Sequence, residues 1–177
     1  VYGHLDAALL LFAQALERVP PNNHHRRAFV LLKYGQTLHI SGDPGRARVV
    51  LEQARASAAR SGVPRARYLV ANALGSVALD LGDEDAGALL RAALAAGADF
   101  GSSTPQPLAL LAFHALEEGA AEAAEAYVHL AEQSINRLPE PTLVVRLVAG
   151  CVALSSGDEE RARASWTAAR EVSEESG

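Results

Sequence analysis

The chain has 177 residues, 49% of them hydrophobic and 5% aromatic, and carries 16 basic against 21 acidic side chains for a formal charge of −5. That apolar fraction excludes disorder, and no apolar run approaches the roughly 18 residues of a membrane span, while a net negative surface with one lysine (Lys33) and no basic run speaks against nucleic-acid binding. One cysteine, Cys151, forms neither an internal disulfide nor a Cys-based zinc site, and no basic segment with a small-residue cleavage site opens these residues, so a reducing cytoplasm is the expectation.

About a fifth of the residues are Ala, the strongest helix former, and nine helices are expected in chain order. The first covers about 4–18, where Leu5, Leu9 and Phe12 recur at i, i+4 and i+7. A polar loop around Asn22–Arg27 leads into a second over about 26–41. The turn Gly42-Asp43-Pro44 starts a third over about 44–60, with Asp43 as N-cap. Pro64 suits the first turn of a fourth over about 65–80, and Gly82-Asp83 turns into a fifth over about 84–96, with Asp83 in the same capping role. Gly97–Gln106 reads as a loop in which Thr104 and Pro105 are N-cap and N1 of a sixth helix over about 105–118. Gly119 precedes a seventh over about 120–137, Pro141 an eighth over about 142–155, and Gly157-Asp158 a ninth over about 158–175. No strand pattern competes with these.

The same elements show an internal repeat. Glycines at Gly3, Gly42, Gly82, Gly119 and Gly157 are spaced 39, 40, 37 and 38 residues apart. Seven residues before four of them stand Gly35, Gly75, Ala112 and Gly150. Glycine inside a helix costs about 1 kcal/mol against Ala, so its recurrence at one offset needs a packing reason. Close helix approach supplies it. The second helices carry small residues seven apart (Ala8 and Ala15, Ala47 and Ala54, Ala86 and Ala93, Ala124 and Ala131, Ala162 and Ala169), with Phe12, Leu51, Leu90, Val128 and Trp166 between them. Small-on-small contacts are expected to set each crossing while the large side chain fills the gap.

A small residue in the first helix, a turn glycine with Asp, and two alanines flanking a bulky residue resemble the tetratricopeptide repeat (TPR) family. The resemblance implies an all-α fold: a superhelical solenoid of antiparallel helix pairs in one domain over 1–177, with a half repeat at 1–20 and full repeats at about 26–60, 64–97, 104–138 and 141–175. Bulky side chains usual in the family give way to Ala78, Ala115 and Ala153, and the period exceeds the family's roughly 34 residues. That longer period is more similar to the repeats of maltose-activator-type regulators and signal-transduction NTPases. The opening half repeat, Val1 at the start and the lack of Met read as a piece of a longer protein. Leu5, Leu9 and Phe12 are then expected to lack a preceding partner, favouring fraying of the first helix or self-association through it.

Candidate chemistry is sparse. His24 and His25 lie in the polar loop with their rings expected to point apart, and His114/Glu118 and Glu125/His129 are i,i+4 pairs, each too few for a metal site. No nucleotide-binding, P-loop or nucleophile-elbow motif appears, so neither enzyme activity nor a cofactor is expected. Cys151 reads as a packed thiol.

What remains is surface. First helices of stacked pairs line a concave side where such proteins bind. Counting from each small residue, offsets −6, −3, +1 and +4 face that side: Phe29, Leu32, Gln36 and His39; Leu69, Asn72, Ser76 and Leu79; Gln106, Ala109, Phe113 and Leu116; Val144, Leu147, Cys151 and Leu154. Gln36, His39, Asn72, Ser76 and Phe113 are the candidate groove residues, because amides beside apolar pockets suit the backbone of an extended peptide. Asn72 also matches the first Asn of the Asn-Asn-Leu-Gly pattern of some peptide-binding TPR proteins. The cationic clamp of chaperone adaptors is missing, its positions holding Leu32, Gln36, Ala73, Gln106 and Leu110. The expected function is a non-catalytic protein- or peptide-interaction scaffold within a larger regulatory protein. The alternative is a small-molecule sensor domain of a transcriptional regulator or signal-transduction NTPase, and a structural spacer is the blandest reading.

Overall fold

A computed structural model describes residues 2–99, 104–135 and 139–176. Nine α-helices occupy the described residues: α1 (Tyr2–Arg18), α2 (His24–Ile40), α3 (Pro44–Ser61), α4 (Pro64–Leu81), α5 (Ala86–Ala98), α6 (Pro105–Glu117), α7 (Ala121–Gln133), α8 (Pro139–Ser155) and α9 (Glu159–Ser176). The chain forms two compact units, Val1–Phe100 and Gly101–Gly177. In the first, α2 pairs with α3 and α4 with α5, α3 packs on α4, α2 lies beside α4, and α1 packs on α2. In the second, α6 pairs with α7 and α8 with α9, α7 packs on α8, and α6 lies beside α8. Connections of a few residues make each pair antiparallel. No helix among the described residues is long and apolar enough to cross a membrane.

The turn glycines have a physical cause. Gly42 takes φ +85° and Gly157 φ +82°, a left-handed conformation that side chains disfavour. The next N–H then reaches back, Asp43 to the Leu38 carbonyl (3.0 Å) and Asp158 to the Ala153 carbonyl (2.9 Å), satisfying carbonyls that a helix end leaves orphaned. Asp43 and Asp158 turn forward as well, accepting from the N–H of Arg46 and Arg161 at 3.0 Å each. Gly3 does not share this role, since it lies within α1.

Asp83 departs from the template. The residue before α5 is Asp85, which makes no side-chain cap, and both carboxylates turn instead to Arg48 of α3. Arg48 Nη1 donates to Asp83 at 2.6 Å and Nη2 to Asp85 at 2.7 Å. The bond to Asp85 leads in holding this guanidinium above its ordinary pKa, against the opposing pull of partial burial. A fork that engages two carboxylates outcompetes one backbone N–H. Thr104 does precede α6 as expected, but its hydroxyl makes no cap.

Each recurrent glycine receives the bulky residue of its partner helix directly, rather than through small-on-small contact. A Cβ on Gly35 would lie 2.5 Å from Leu51 Cγ, and one on Gly75 would lie 2.5 Å from Leu90 Cδ2. A Cβ on Gly150 would enter the Trp166 ring. The flanking alanines line the seam, with Ala47, Ala54, Ala86, Ala93, Ala124 and Ala131 all buried.

The face expected to be left open on α1 is partly engaged. Leu5, Leu9 and Phe12 are half-buried, Leu9 packs against the core, and the Phe12 ring sits 6.5 Å from that of Tyr34. The exposed large apolar residues described on α1 are Leu10 (61%) and Leu11 (63%), because α2 covers the other side.

Candidate functional site

Four of the five candidate groove residues lie on α2 and α4, neighbouring helices of the first unit. Gln36, His39 and Ser76 are half-buried, and Asn72 is buried with 7% of its surface exposed. Phe113 is half-buried on α6, in the second unit.

The four offsets are not equivalent. Positions −6 and +1 are half-buried on α2, α4, α6 and α8, and +4 is half-buried on the first three. The −3 position packs inward on α2, α4 and α6 as Leu32, Asn72 and Ala109, and only Leu147 of α8 is exposed. This corrects the expectation that −3 lines the wall. By helical rotation −3 falls between +1 and +4, so angle alone does not set it apart; −3 lies in the body of its helix, where neighbouring helices cover it, whereas +4 lies in the last turn.

Asn72 is therefore an amide at a core position. Its Oδ1 is sealed from solvent and has no hydrogen-bond partner, the lone such side-chain atom among the described residues. An orphaned buried acceptor costs about 1–3 kcal/mol. Asparagine at an inward position thus works against stability.

His39 is tied across the helices, its Nε2 lying 2.5 Å from Asp80 Oδ2. Lys33 Nζ donates to Gln36 Oε1 at 3.1 Å. Asp80 and Lys33 are wall residues that sequence reasoning missed. Asp80 lies one position beyond the +4 offset, and a carboxylate about one repeat after a histidine was the available signal. Elsewhere on α4, burial pushes the Tyr68 phenol above its usual pKa.

The remaining candidates separate. His24 and His25 are helical, because Asn23 rather than a later residue caps α2, and both border one solvent-open cavity. His114 lies 3.7 Å from Glu118 as the spacing suggested. Glu125 instead accepts from Arg161, while His129 bonds Gln133. Cys151 is a free, half-buried thiol. Among the described residues no three His, Cys, Asp or Glu side chains are grouped to hold a metal. A second cavity, of about 310 Å³, is floored by Val70 and alanines of α3, α4 and α5, with Arg55, Arg67 and Asp99 also lining it. Its charges are already matched, Arg67 to Asp99 at 3.2 Å and Arg55 to Glu52 at 2.8 Å.

Antiparallel helix pairs with a small residue in one helix, a bulky residue in the next and a glycine turn between them define an all-helical, TPR-like solenoid. Solved structures of MamA, a TPR-like protein, are similar to this chain. A MamA RS-1 ArsTM double mutant matches with a TM-score of 0.62 at 17% identity, over 97% of this chain and 86% of that one. A crystal structure of MamA gives 0.60 at 21%, over 99% and 92%, and a further MamA crystal structure gives 0.59 at 20%, over 98% and 85%. No protein-family model and no curated protein matches the chain. These likenesses concern the fold. They lend no support to the resemblance to maltose-activator-type regulators or signal-transduction NTPases.

Proposed function

We propose that the chain is a non-catalytic interaction scaffold whose α2–α4 wall binds an extended segment of a protein partner. The observation that carries this reading is the half-buried polar set Gln36, His39 and Ser76 on the neighbouring helices α2 and α4. An extended peptide supplies backbone N–H and C=O groups at regular intervals, and side-chain amides and hydroxyls can pair with both. Gln36 and Ser76 offer those polar contacts, while half-buried Leu69 and Leu79 at −6 and +4 of α4 offer apolar ones. The His39–Asp80 bond holds α2 and α4 in register beneath the bound segment.

The test separates binding from folding. Replacing Asn72 by Leu removes the orphaned acceptor behind the wall, so Asn72→Leu is expected to raise the melting temperature without loss of the peptides that the unaltered chain selects from a random display library. Ser76→Arg, on the wall itself, should abolish their capture while the chain stays folded. Peptides retained by Ser76→Arg, or none selected by the unaltered chain, would overturn the assignment.

A further inference from the structure

The entrance to α2 holds a second polar site, independent of the wall. A solvent-open cavity of about 440 Å³ is lined by Asn22, Asn23, His24 and His25 at the start of α2 and by Arg60 and Ser61 at the end of α3. No carboxylate lines it, although the chain has more acidic than basic residues. Arg60, like Arg18, Arg26, Arg27, Arg65 and Arg91, has no carboxylate within ion-pair distance among the described residues, and of these six it alone lines the cavity.

The remaining polar groups are biased toward donation. Asn23 Oδ1 is committed to the Arg26 N–H at 3.2 Å, which leaves its Nδ2 to donate. The Ser61 hydroxyl is engaged twice, donating to the Ala58 carbonyl at 2.8 Å and accepting from the Val63 N–H at 3.2 Å. Each imidazole retains at least one N–H, and the guanidinium offers five. The first turn of α2 contains no acidic residue, and its opening N–H groups add further donors.

A guanidinium of α3, two imidazoles of α2 and the two amide Nδ2 groups just before it exceed what the two oxygens of a carboxylate can accept. A phosphoryl group presents three oxygens and nearly two negative charges. The cavity is wide open to solvent, which leaves room for a substituent beside the phosphoryl group. We propose that this cavity binds a small phosphomonoester, with Arg60 as its principal charge partner and the phosphoryl oxygens turned toward His24, His25 and Asn23.

Calorimetric titration of the 177-residue chain with glycerol 3-phosphate, glucose 6-phosphate and adenosine monophosphate tests this, with inorganic phosphate and acetate at matched ionic strength as comparisons. At least one ester is expected to bind saturably, at least tenfold more tightly than acetate and more tightly than inorganic phosphate. Arg60→Gln should weaken that ester at least tenfold, while Arg91→Gln, at an exposed arginine outside the cavity, should leave it unchanged. Amide shifts on titration should centre on His24, His25 and Ser61 in the unaltered chain, a readout that needs no variant. Saturation by none of the three esters, equal loss in both variants, or shifts centred elsewhere would overturn the proposal. Inorganic phosphate binding as tightly as every ester would overturn the claim for a substituent. None of these outcomes bears on the α2–α4 wall.

Discussion

The α2–α3 and α8–α9 pairs solve one packing problem with different side chains. Gly35 receives Leu51, which is fully buried, while Gly150 receives Trp166, which keeps 36% of its surface exposed. Leu51 is sealed because α3 also packs on α4. Trp166 lies over its glycine and donates its indole N–H to the Leu147 carbonyl at 3.2 Å. The glycine socket is therefore indifferent to the size of the knob, and what lies on the far side decides whether that knob belongs to a closed core. A similar pairing links successive second helices in both units. Arg48 of α3 binds Asp83 and Asp85 before α5, and Arg161 of α9 binds Glu125 of α7.

The largest effect is expected at the sealed knob. Leu51→Ala leaves a cavity that no solvent can enter and should cost about 2–5 kcal/mol, measured by chemical denaturation. A loss below about 1 kcal/mol would mean that α3 collapses onto α2 and that the socket is not rigid.

The sockets come next. Gly35→Val gains at most about 1 kcal/mol of helix propensity but drives a side chain into the branch point of Leu51, for a net loss of about 1–3 kcal/mol. Gly150→Val should cost less, because Trp166 can swing toward solvent. Combining Gly35→Val with Leu51→Ala exchanges knob and hole, so the double variant should be more stable than the sum of the single losses predicts. Additive losses would break the comparison.

The arginine links are the smallest. Arg48→Gln should cost about 0.2–1 kcal/mol, fading as salt is raised, with Arg161→Gln at the lower end because its partner set is a single carboxylate. Equal losses that ignore salt would assign both arginines to packing through their stems instead.

Much of this was legible in the residues. The 37–40 spacing, the turn glycines and the seven-residue offset of Gly35, Gly75 and Gly150 specified helices, turns and pairing, because left-handed caps and close approach tolerate few residue types. Asp83 misled because a capping aspartate and an ion-paired one look alike until the arginine's position is known. Asn72 was singled out for polarity on a wall, and its burial without a partner emerged only once α2, α3 and α5 were seen packed against α4. His24 and His25 were read as loop residues because α2 begins two residues earlier than the pattern suggested, and Arg60 was not singled out at all.

The sequence by itself determined the local events: where helices start and stop, and which residue in each must be small. Those depend on backbone conformation and on neighbours within one repeat, so a repeating pattern of Gly, Asp and Ala encodes them. Only the tertiary structure decided which carboxylate meets which arginine, which amide is stranded inside, and which ends of α2 and α3 enclose a cavity. Such pairings join residues a full repeat apart, and their geometry follows from how whole helices lean on one another.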